Sequence, residues 1–490
     1  MSLNGPNHSW RQPSPTNTAS GWNGGVLLRA GQIGGSQIIR RTARFLFLFV
    51  VATRMGPEQF GIYTILLALI ETLSLLSGEG LIDFLAREVS RYPQQARALY
   101  GQVVGLRLLY AGIVLPLGLL LLLLLNYSRS VLAAGFWMFL ILFARAPLAA
   151  AQGIFRAGRQ VLPLAWLEFL QGAVLLFALV PLLLGPMSLP RVVIAELSSA
   201  GVGAAASIWF VRKLPRGGVS PTAPWLQLIR STATFNLYPL ITNIYDRVDL
   251  LLLAVLAGNA AAGIYALPYR ILSLMQIVPF GLMTALLPMM ASRKVLTLDA
   301  SRCHDISTAL FALSLFPVLI VMLLADPLVP MMLGKNYVEA APVLRLLIWA
   351  AIPMFLNFGL NNFLLARGQE HVFVRTTLIC AILNIACNVI SIPRFSYYAA
   401  SAVTSVTELA LLIQNVAIIR KRFGFFPLSS RILIIFAAFA AVLGAALVGS
   451  PYIPQMVLAV AATTILGIYV HRVGAFSPVF RWTAPEIMAS

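Results

Sequence analysis

Apolar segments, each long enough to cross a bilayer, follow one another along almost the whole chain. A membrane-spanning helix needs about 20 apolar residues. Only 10% of the 490 residues are charged, against about 25% in soluble domains, so a bilayer is the expected solvent. The predicted fold class is therefore all-α and polytopic. We expect fourteen helices, at 27–53, 60–82, 101–125, 131–152, 161–184, 191–211, 228–256, 262–290, 307–325, 341–366, 372–392, 396–419, 431–449 and 453–471.

Loops that are rich in Lys and Arg alternate along the chain with loops that contain few of them. If the N-terminus lies inside, the inner loops contain nineteen Lys and Arg residues and the outer loops contain five. Because cytoplasmic loops are enriched in Lys and Arg, this contrast predicts that both termini are cytoplasmic. One missed or extra helix would reverse every later loop and remove the contrast. Much of the net charge of +19 is thus an orientation signal, and no nucleic-acid partner is predicted.

An internal repeat divides the helices. Residues 56–91 and 258–293 align without gaps at an offset of 202 and share seven of 36 positions, including a G-x-x-x-x-G-I-Y turn. Chance similarity between apolar segments is the alternative explanation. The offset separates helices 2 and 8, so the repeat unit is six helices. Six is an even number, which predicts parallel repeats about an axis along the membrane normal.

The repeat predicts a chain organisation of two pseudo-symmetric six-helix bundles with additions at either end. Helices 13 and 14 lie outside the six-plus-six arrangement. The predicted segments are a disordered cytoplasmic tail at 1–26, bundles at 27–216 and 217–424, two further helices at 425–472, and a cytoplasmic tail at 473–490.

Several motifs occur in an order that is typical of one transporter family. They are MGPEQFGIY, GLIDFLAREVSR, YDRVDLLLLAVLAGNAAAGIYALPYRI, LGKNYVEAAPVLRLLIW and NNFLLARGQ. From about residue 27 to 420 the chain resembles Wzx-type polysaccharide-biosynthesis flippases of the multidrug/oligosaccharidyl-lipid/polysaccharide (MOP) exporter superfamily. The resemblance implies a V-shaped pair of bundles around a central cavity. It also implies a substrate of sugars on a polyprenyl pyrophosphate in a bacterial cytoplasmic membrane.

Motifs for enzymatic chemistry are absent from the sequence. It contains no G-x-x-x-x-G-K-[ST] nucleotide loop, no H-E-x-x-H zinc motif and no G-x-S-x-G nucleophile motif. We therefore expect a transporter without cofactor or metal. Expected partners are membrane lipids, the lipid-linked oligosaccharide and the polymerase and glycosyltransferases of its pathway. Alternatives are a multidrug or metabolite cation antiporter of the same superfamily and, with less support, a membrane polymerase or ligase.

Arginines inside the predicted helices are the main candidates for substrate binding. A charge at the bilayer centre costs about 2.5–3.5 kcal/mol on insertion scales, so such residues are expected to face a cavity or a partner. In helix 1, Arg41 and Arg44 follow Gln37 and Arg40 at helical spacing and share one face. A cationic cavity wall is one interpretation. The alternatives are that Arg40 and Arg41 extend toward a headgroup layer, or that these arginines pair with acids of neighbouring helices. The remaining cavity candidates of this kind are Arg145, Arg247 and Arg270.

Helix 7 contains a second polar stripe. With the offset of 202, Arg44 aligns with Asp246 and Arg41 aligns with Asn243. Equivalent helices thus carry polar groups at equivalent depth, which favours a cavity lined by Asn243, Asp246 and Arg247. The alternative is a local ion-pair cluster with Asp249.

A few acids and amides complete the candidates. Glu79, Asp83 and Asp249 are candidates for coupling to an ion gradient, or for neutralising arginines. Two amide pairs with i, i+4 spacing, Asn357/Asn361 and Asn384/Asn388, could bind sugar hydroxyls or hydrogen-bond between helices.

Overall fold

The computed structural model of the protein describes residues 22–76, 78, 80–158, 160–214, 225–291, 299–449 and 453–476. Most of the two predicted tails and the predicted bundle boundary at 216/217 lie outside these residues, as does the candidate Glu79. The side chains of 22–39, 225–240 and Asp83 are also outside the described set.

Sixteen α-helices form the described part of the chain. They are α1 (Trp22–Leu76), α2 (Gly80–Arg91), α3 (Ala96–Leu124), α4 (Arg129–Phe139), α5 (Ile141–Ala157), α6 (Val161–Leu184), α7 (Leu189–Arg212), α8 (Trp225–Leu256), α9 (Asn259–Met275), α10 (Ile277–Ala291), α11 (Asp299–Leu333), α12 (Ala340–Leu347), α13 (Ala351–Ala366), α14 (Glu370–Phe423), α15 (Arg431–Gly449) and α16 (Gln455–Arg472).

Eleven stretches of the described residues are long and apolar enough to cross a membrane. Two of them, 40–76 and 370–423, are much longer than the roughly 20 residues of one crossing and contain a non-helical residue near the middle. Each therefore supplies two of the predicted segments. Helix α8 matches a further predicted segment, at 228–256. The predicted polytopic, all-α fold class is confirmed.

Helix α14 is a hairpin with its bend at Ser396, where φ is 49° and ψ is −133°. Asn384 donates to the Thr407 hydroxyl at 3.4 Å, and Gln414 donates to the Cys380 sulfur at 3.1 Å. These pairs lie at increasing distance on either side of Ser396, so the two segments run antiparallel. The sequence predicted the break at 393–395, but the structure bends the chain at Ser396.

The second helix of the N-terminal half also differs from its prediction. It was expected to continue to residue 82, but α1 ends at Leu76 and α2 begins separately at Gly80. Arg107 of α3 is 2% exposed and donates to the Gly78 carbonyl oxygen at 2.7 Å. The same oxygen accepts a hydrogen bond from the Leu81 amide at 3.2 Å, so Arg107 ties α3 to the first turn of α2.

The two G-x-x-x-x-G-I-Y turns have the same backbone conformation. Gly56 has φ 75° and ψ 168°, and Gly258 has φ 93° and ψ 167°. This region of the Ramachandran map is essentially restricted to glycine. The shared conformation at equivalent positions supports the internal repeat.

The same turns contact each other reciprocally. A Cβ atom on Gly61 would lie 1.8 Å from the Asn259 carbonyl oxygen. A Cβ atom on Gly263 would lie 2.0 Å from the Pro57 carbonyl oxygen. Both glycines and both carbonyls are related by the offset of 202, so the contact has the form of a local two-fold interface. Glycine at both positions allows the two backbones to approach this closely.

Contacts along the chain group it into two compact units. Unit 1 comprises 1–51 and 66–240, and unit 2 comprises 52–65 and 241–490. Apolar side chains of α2, α3, α5 and α6 form a core in unit 1, in which Leu85, Leu106 and Leu167 are fully buried. In unit 2, α10, α11 and α13 pack together around Leu310 and Phe355.

Candidate substrate and coupling sites

Unit 1 contains a cluster of three arginines and two glutamates. Arg44 of α1 donates to a carboxylate oxygen of Glu196 on α7 at 2.7 Å. Arg40 pairs with Glu168 on α6. Arg41 is half-buried in the field of Arg40 and Glu168. The structure thus brings three arginines of α1 together with an acid of α6 and an acid of α7.

The cluster extends to mid-depth in the membrane. Arg44 is twelve residues before the turn at Gly56, which places it about 18 Å along the helix at about 1.5 Å per residue. The hydrocarbon core is about 30 Å thick. The Arg44 side chain is 22% exposed and the Glu196 side chain 5%. The Arg44 guanidinium thus stays partly accessible while its partner Glu196 is buried.

Two other arginine candidates lie outside the α1 cluster. Arg145 is half-buried on α5 of unit 1. Arg270 is half-buried on α9 of unit 2 and directly follows Tyr269. Their part in substrate binding stays a prediction.

Unit 2 buries the Asp249 carboxylate among neutral donors. Asp249 of α8 is 2% exposed and accepts hydrogen bonds from the Tyr265 hydroxyl, from the Thr404 hydroxyl at 3.3 Å and from the Leu250 amide at 3.0 Å. The Tyr265 and Thr404 hydroxyls are also 3.1 Å apart. No basic side chain of the described residues forms an ion pair with Asp249.

Glu408 of α14 is a second buried carboxylate in unit 2. It is 6% exposed and accepts hydrogen bonds from the Tyr245 hydroxyl at 3.0 Å and the Asn357 amide at 3.0 Å. Asn415 donates to the side-chain oxygens of Asn357 and Asn361 at 3.2 and 3.0 Å. Within the described part of the chain, Glu408 also has no basic partner. The amides of Asn357, Asn361 and Asn415 therefore form hydrogen bonds between α13 and α14, next to the Glu408 carboxylate.

Tyr269 of α9 connects these groups electrostatically. Its phenol lies in the electrostatic field of Asp246, Arg247, Asp249 and Glu408, and its ring lies 5.7 Å from the ring of Tyr265. The part of Asp246 and Arg247 in substrate binding stays a prediction. Asn243 is half-buried on α8.

Sequence reasoning did not assign a role to several groups of this network. Glu408 is an unusual residue to find in an apolar segment, but nothing in the sequence indicates that Tyr245 and Asn415 belong to the same network. Tyr265 does carry a signal, since it is the tyrosine of the repeated turn motif. Its contact with Asp249, 16 residues earlier, depends on the packing of α8 against α9.

Comparison with known families places the chain among exporters. The model of the polysaccharide biosynthesis protein family matches residues 30–294, more than half of the chain. This chain belongs to that family. The MatE family model matches residues 237–390, which overlap most of the second repeat. No curated protein sequence matches the chain.

Solved structures show the same fold at low sequence identity. A lipid II flippase, MurJ, in an inward closed conformation is 9% identical, with a TM-score of 0.66, and the alignment covers 91% of this chain and 99% of the flippase. An inward-facing multidrug resistance MATE transporter of the MOP superfamily is 14% identical, with a TM-score of 0.62, covering 79% and 98%. The Vibrio cholerae MATE transporter VcmN is 14% identical, with a TM-score of 0.55, covering 81% and 98%.

These matches confirm the superfamily that the ordered motifs predicted. The protein is a multi-pass membrane protein of the MOP superfamily, with the fold of its flippases and transporters.

Proposed function

We propose that the protein is a flippase that moves polyprenyl-pyrophosphate-linked oligosaccharides across a bacterial cytoplasmic membrane for cell-surface polysaccharide synthesis. The observation that carries the proposal is the grouping of Arg40, Arg41 and Arg44 on α1, with Glu168 and Glu196 beside them. Membership of the polysaccharide biosynthesis family supports the sugar-linked cargo.

The chemistry of a pyrophosphate fits an arginine cluster. Each guanidinium offers planar, paired donors to phosphate oxygens, and such charge-assisted bonds are about twice as strong as neutral ones. The low-dielectric surroundings of a membrane protein strengthen this attraction relative to bulk water. Arg41 and Arg44 are the proposed contacts, with Arg145, Arg247 and Arg270 as further candidates along the path. The sugars would pass through a hydrated interior while the prenyl chain stays in lipid.

The carboxylates of unit 2 are the proposed coupling groups. Asp249 and Glu408 are buried with neutral donors, so gain or loss of a proton or a small cation would change their charge without breaking an arginine pair. The sequence contains no nucleotide-binding loop, so an ion gradient or the membrane potential is the proposed energy source for alternating access. Asp246 next to Arg247 belongs to the same proposal.

The proposed arrangement keeps the predicted topology. Both termini would be cytoplasmic, with six-helix bundles at 27–216 and 217–424 and two additional helices at 425–472. The loop charges support this orientation. Polymerase and glycosyltransferases of the same pathway are the proposed partners.

The decisive experiment follows the lipid-linked oligosaccharide in cells. The gene is deleted in a strain without a paralogue, and the accessibility of the intermediate to an external sugar-modifying probe is measured. We expect the intermediate to accumulate on the inner leaflet and to reach the outer leaflet again when the wild-type gene is restored. Normal appearance outside in the deletion strain would refute the proposal.

A narrower experiment separates substrate binding by Arg44 from ion pairing. Arg44→Ala leaves the buried Glu196 without its partner, so a loss of transport alone is ambiguous. The double variant Arg44→Ala with Glu196→Ala removes both charges. If Arg44 binds the pyrophosphate, the double variant stays inactive at normal protein level. If transport returns, Arg44 has only a structural role.

A cation antiporter is the second candidate function. It is favoured by the buried carboxylates of unit 2 and by the MatE match over 237–390. Purified protein in vesicles discriminates the two. Gradient-driven transport of a cationic dye without translocation of the lipid-linked sugar would favour the antiporter.

A further inference from the structure

An apolar groove of about 620 Å³ lies at the end of α14, where the chain turns toward α15. This volume is within the range of about 300–1,000 Å³ that is typical of ligand sites. One wall comes from α14 and the other from the following loop. The apolar lining consists of Leu412, Ile413, Val416, Ala417, Phe426 and Leu428.

The loop wall of the groove is held in place by specific contacts. The Phe426 carbonyl oxygen lies 2.5 Å from Nε2 of His304. The neighbouring Phe425 packs edge-on against Phe363, with ring centroids 5.9 Å apart. Gly424 ends α14 in the left-handed conformation, with φ 77°, which turns the chain back over the helix. These contacts hold the loop against α11 and α13 and so define one wall of the groove.

Two positively charged side chains lie at one end of the groove. Arg420 and Lys421 both line it and are exposed. Among the described residues, neither forms an ion pair or a side-chain hydrogen bond. The next residue, Arg422, contacts Gln369 and His371 instead. The groove thus combines an apolar body with an unneutralised positive end.

We propose that this groove binds an anionic phospholipid, with an acyl chain along α14 and the phosphate at Arg420 and Lys421. Ile413 is 61% exposed although it belongs to a membrane-spanning segment, so the groove opens toward lipid. Ile413 lies seven residues before Arg420, about 10 Å along the helix, which matches a chain lying below its headgroup. The loop charges assign this end to the cytoplasmic leaflet, which carries anionic lipids. The site is independent of the cargo of the transporter.

The test uses the purified full-length protein in detergent, titrated with phosphatidylglycerol or phosphatidylcholine and followed by native mass spectrometry. We expect phosphatidylglycerol to bind in preference. Arg420→Gln with Lys421→Gln should weaken its binding about thirtyfold, because each Lys or Arg near an anionic surface contributes roughly a factor of five. The matched control, Arg375→Gln with Arg472→Gln, removes two exposed cations elsewhere and should leave the binding unchanged.

A second variant tests the apolar body without altering charge. Ala417→Trp places an indole in the groove at an exposed position, which limits its effect on folding, and should reduce phosphatidylglycerol binding at least tenfold. Equal binding of the two lipids would overturn the proposal. So would equal effects of the two double variants, unchanged binding by Ala417→Trp, or binding of glycerol phosphate with the affinity of the lipid. Binding of a polyprenyl phosphate but not phosphatidylglycerol would also overturn it.

Discussion

The two units hold their buried carboxylates in opposite ways. In unit 1, Glu168 and Glu196 pair with arginines of α1. In unit 2, Asp249 and Glu408 accept hydrogen bonds only from hydroxyl and amide groups, as far as the described residues extend. The turn motifs of the two repeats nevertheless share one backbone conformation, at Gly56 and Gly258.

This difference separates two physical tasks. The acids of unit 1 are compensated by arginines, so that unit offers a fixed pattern of ion pairs. The acids of unit 2 have only neutral donors among the described residues, which makes them the proposed coupling groups. The equivalent of Asp249 in the first repeat is Phe47, which is fully buried. The repeats therefore share a scaffold and diverge at the positions that carry charge.

The largest expected effect concerns what the repeats have in common. Gly61→Ala and Gly263→Ala each place a Cβ atom within about 2 Å of a backbone oxygen of the other turn. Both should destabilise the protein by about 3 kcal/mol or more, and by similar amounts, because the contact is reciprocal. Thermal unfolding of the purified protein measures this. Gly105→Ala is the control, since a Cβ atom there meets nothing within 4 Å.

Neutralising one acid in each unit tests the contrast directly. Glu196→Gln leaves Arg44 without its carboxylate and should lower stability by about 2 kcal/mol, less than for a fully buried pair because Arg44 is partly exposed. Glu408→Gln keeps neutral partners around a neutral group and should cost less than about 1 kcal/mol. The thermal midpoints of the two variants compare them. Equal losses would remove the contrast between the units.

Asp249→Asn should separate coupling from stability. The amide keeps the shape of the carboxylate and can bond to Tyr265 and Thr404, so unfolding should change by less than about 1 kcal/mol. Translocation in vesicles should no longer respond to an imposed proton or sodium gradient, whereas the wild-type protein should respond. If the variant keeps the full response to both gradients, Asp249 is not a coupling group.

The smallest effect is expected for an exposed ion pair of unit 1. Arg91 lies 3.7 Å from Glu88 on α2, and its side chain is 64% exposed. Arg91→Gln should change stability by less than about 0.5 kcal/mol, because solvent screens such pairs. A larger loss of stability in thermal unfolding would mean that ion pairs in unit 1 stabilise the fold whether they are exposed or buried.

Much of the fold was predictable because each membrane crossing is a local sequence property. Segment length, apolar composition and loop charge located the helices without reference to their neighbours. The break in α14 was predicted at 393–395, whereas the chain continues helically past Pro393 and bends at Ser396. The end of α1 at Leu76 was missed because the prediction carried the helix to residue 82, across the Ser-Gly-Glu-Gly stretch at 77–80.

The site was predictable only as far as single helices extend. The shared face of Arg41 and Arg44 follows from helical spacing. Their acidic neighbours come from α6 and α7, and Glu196 is 152 residues away from Arg44 in the chain. The polar network of Glu408 likewise joins α8, α13 and α14. Such pairings depend on packing, which no local pattern specifies.

The reciprocal contact of Gly61 and Gly263 is made by backbone atoms. Because it uses no side chain of the charged clusters, those clusters are free to change during evolution without altering where the repeats meet. Relatives could therefore acquire new cargo by substituting arginines and acids while the backbone contact between the two turns is conserved. After duplication of a gene, that contact is common to both halves, whereas the charged residues of each half diverge.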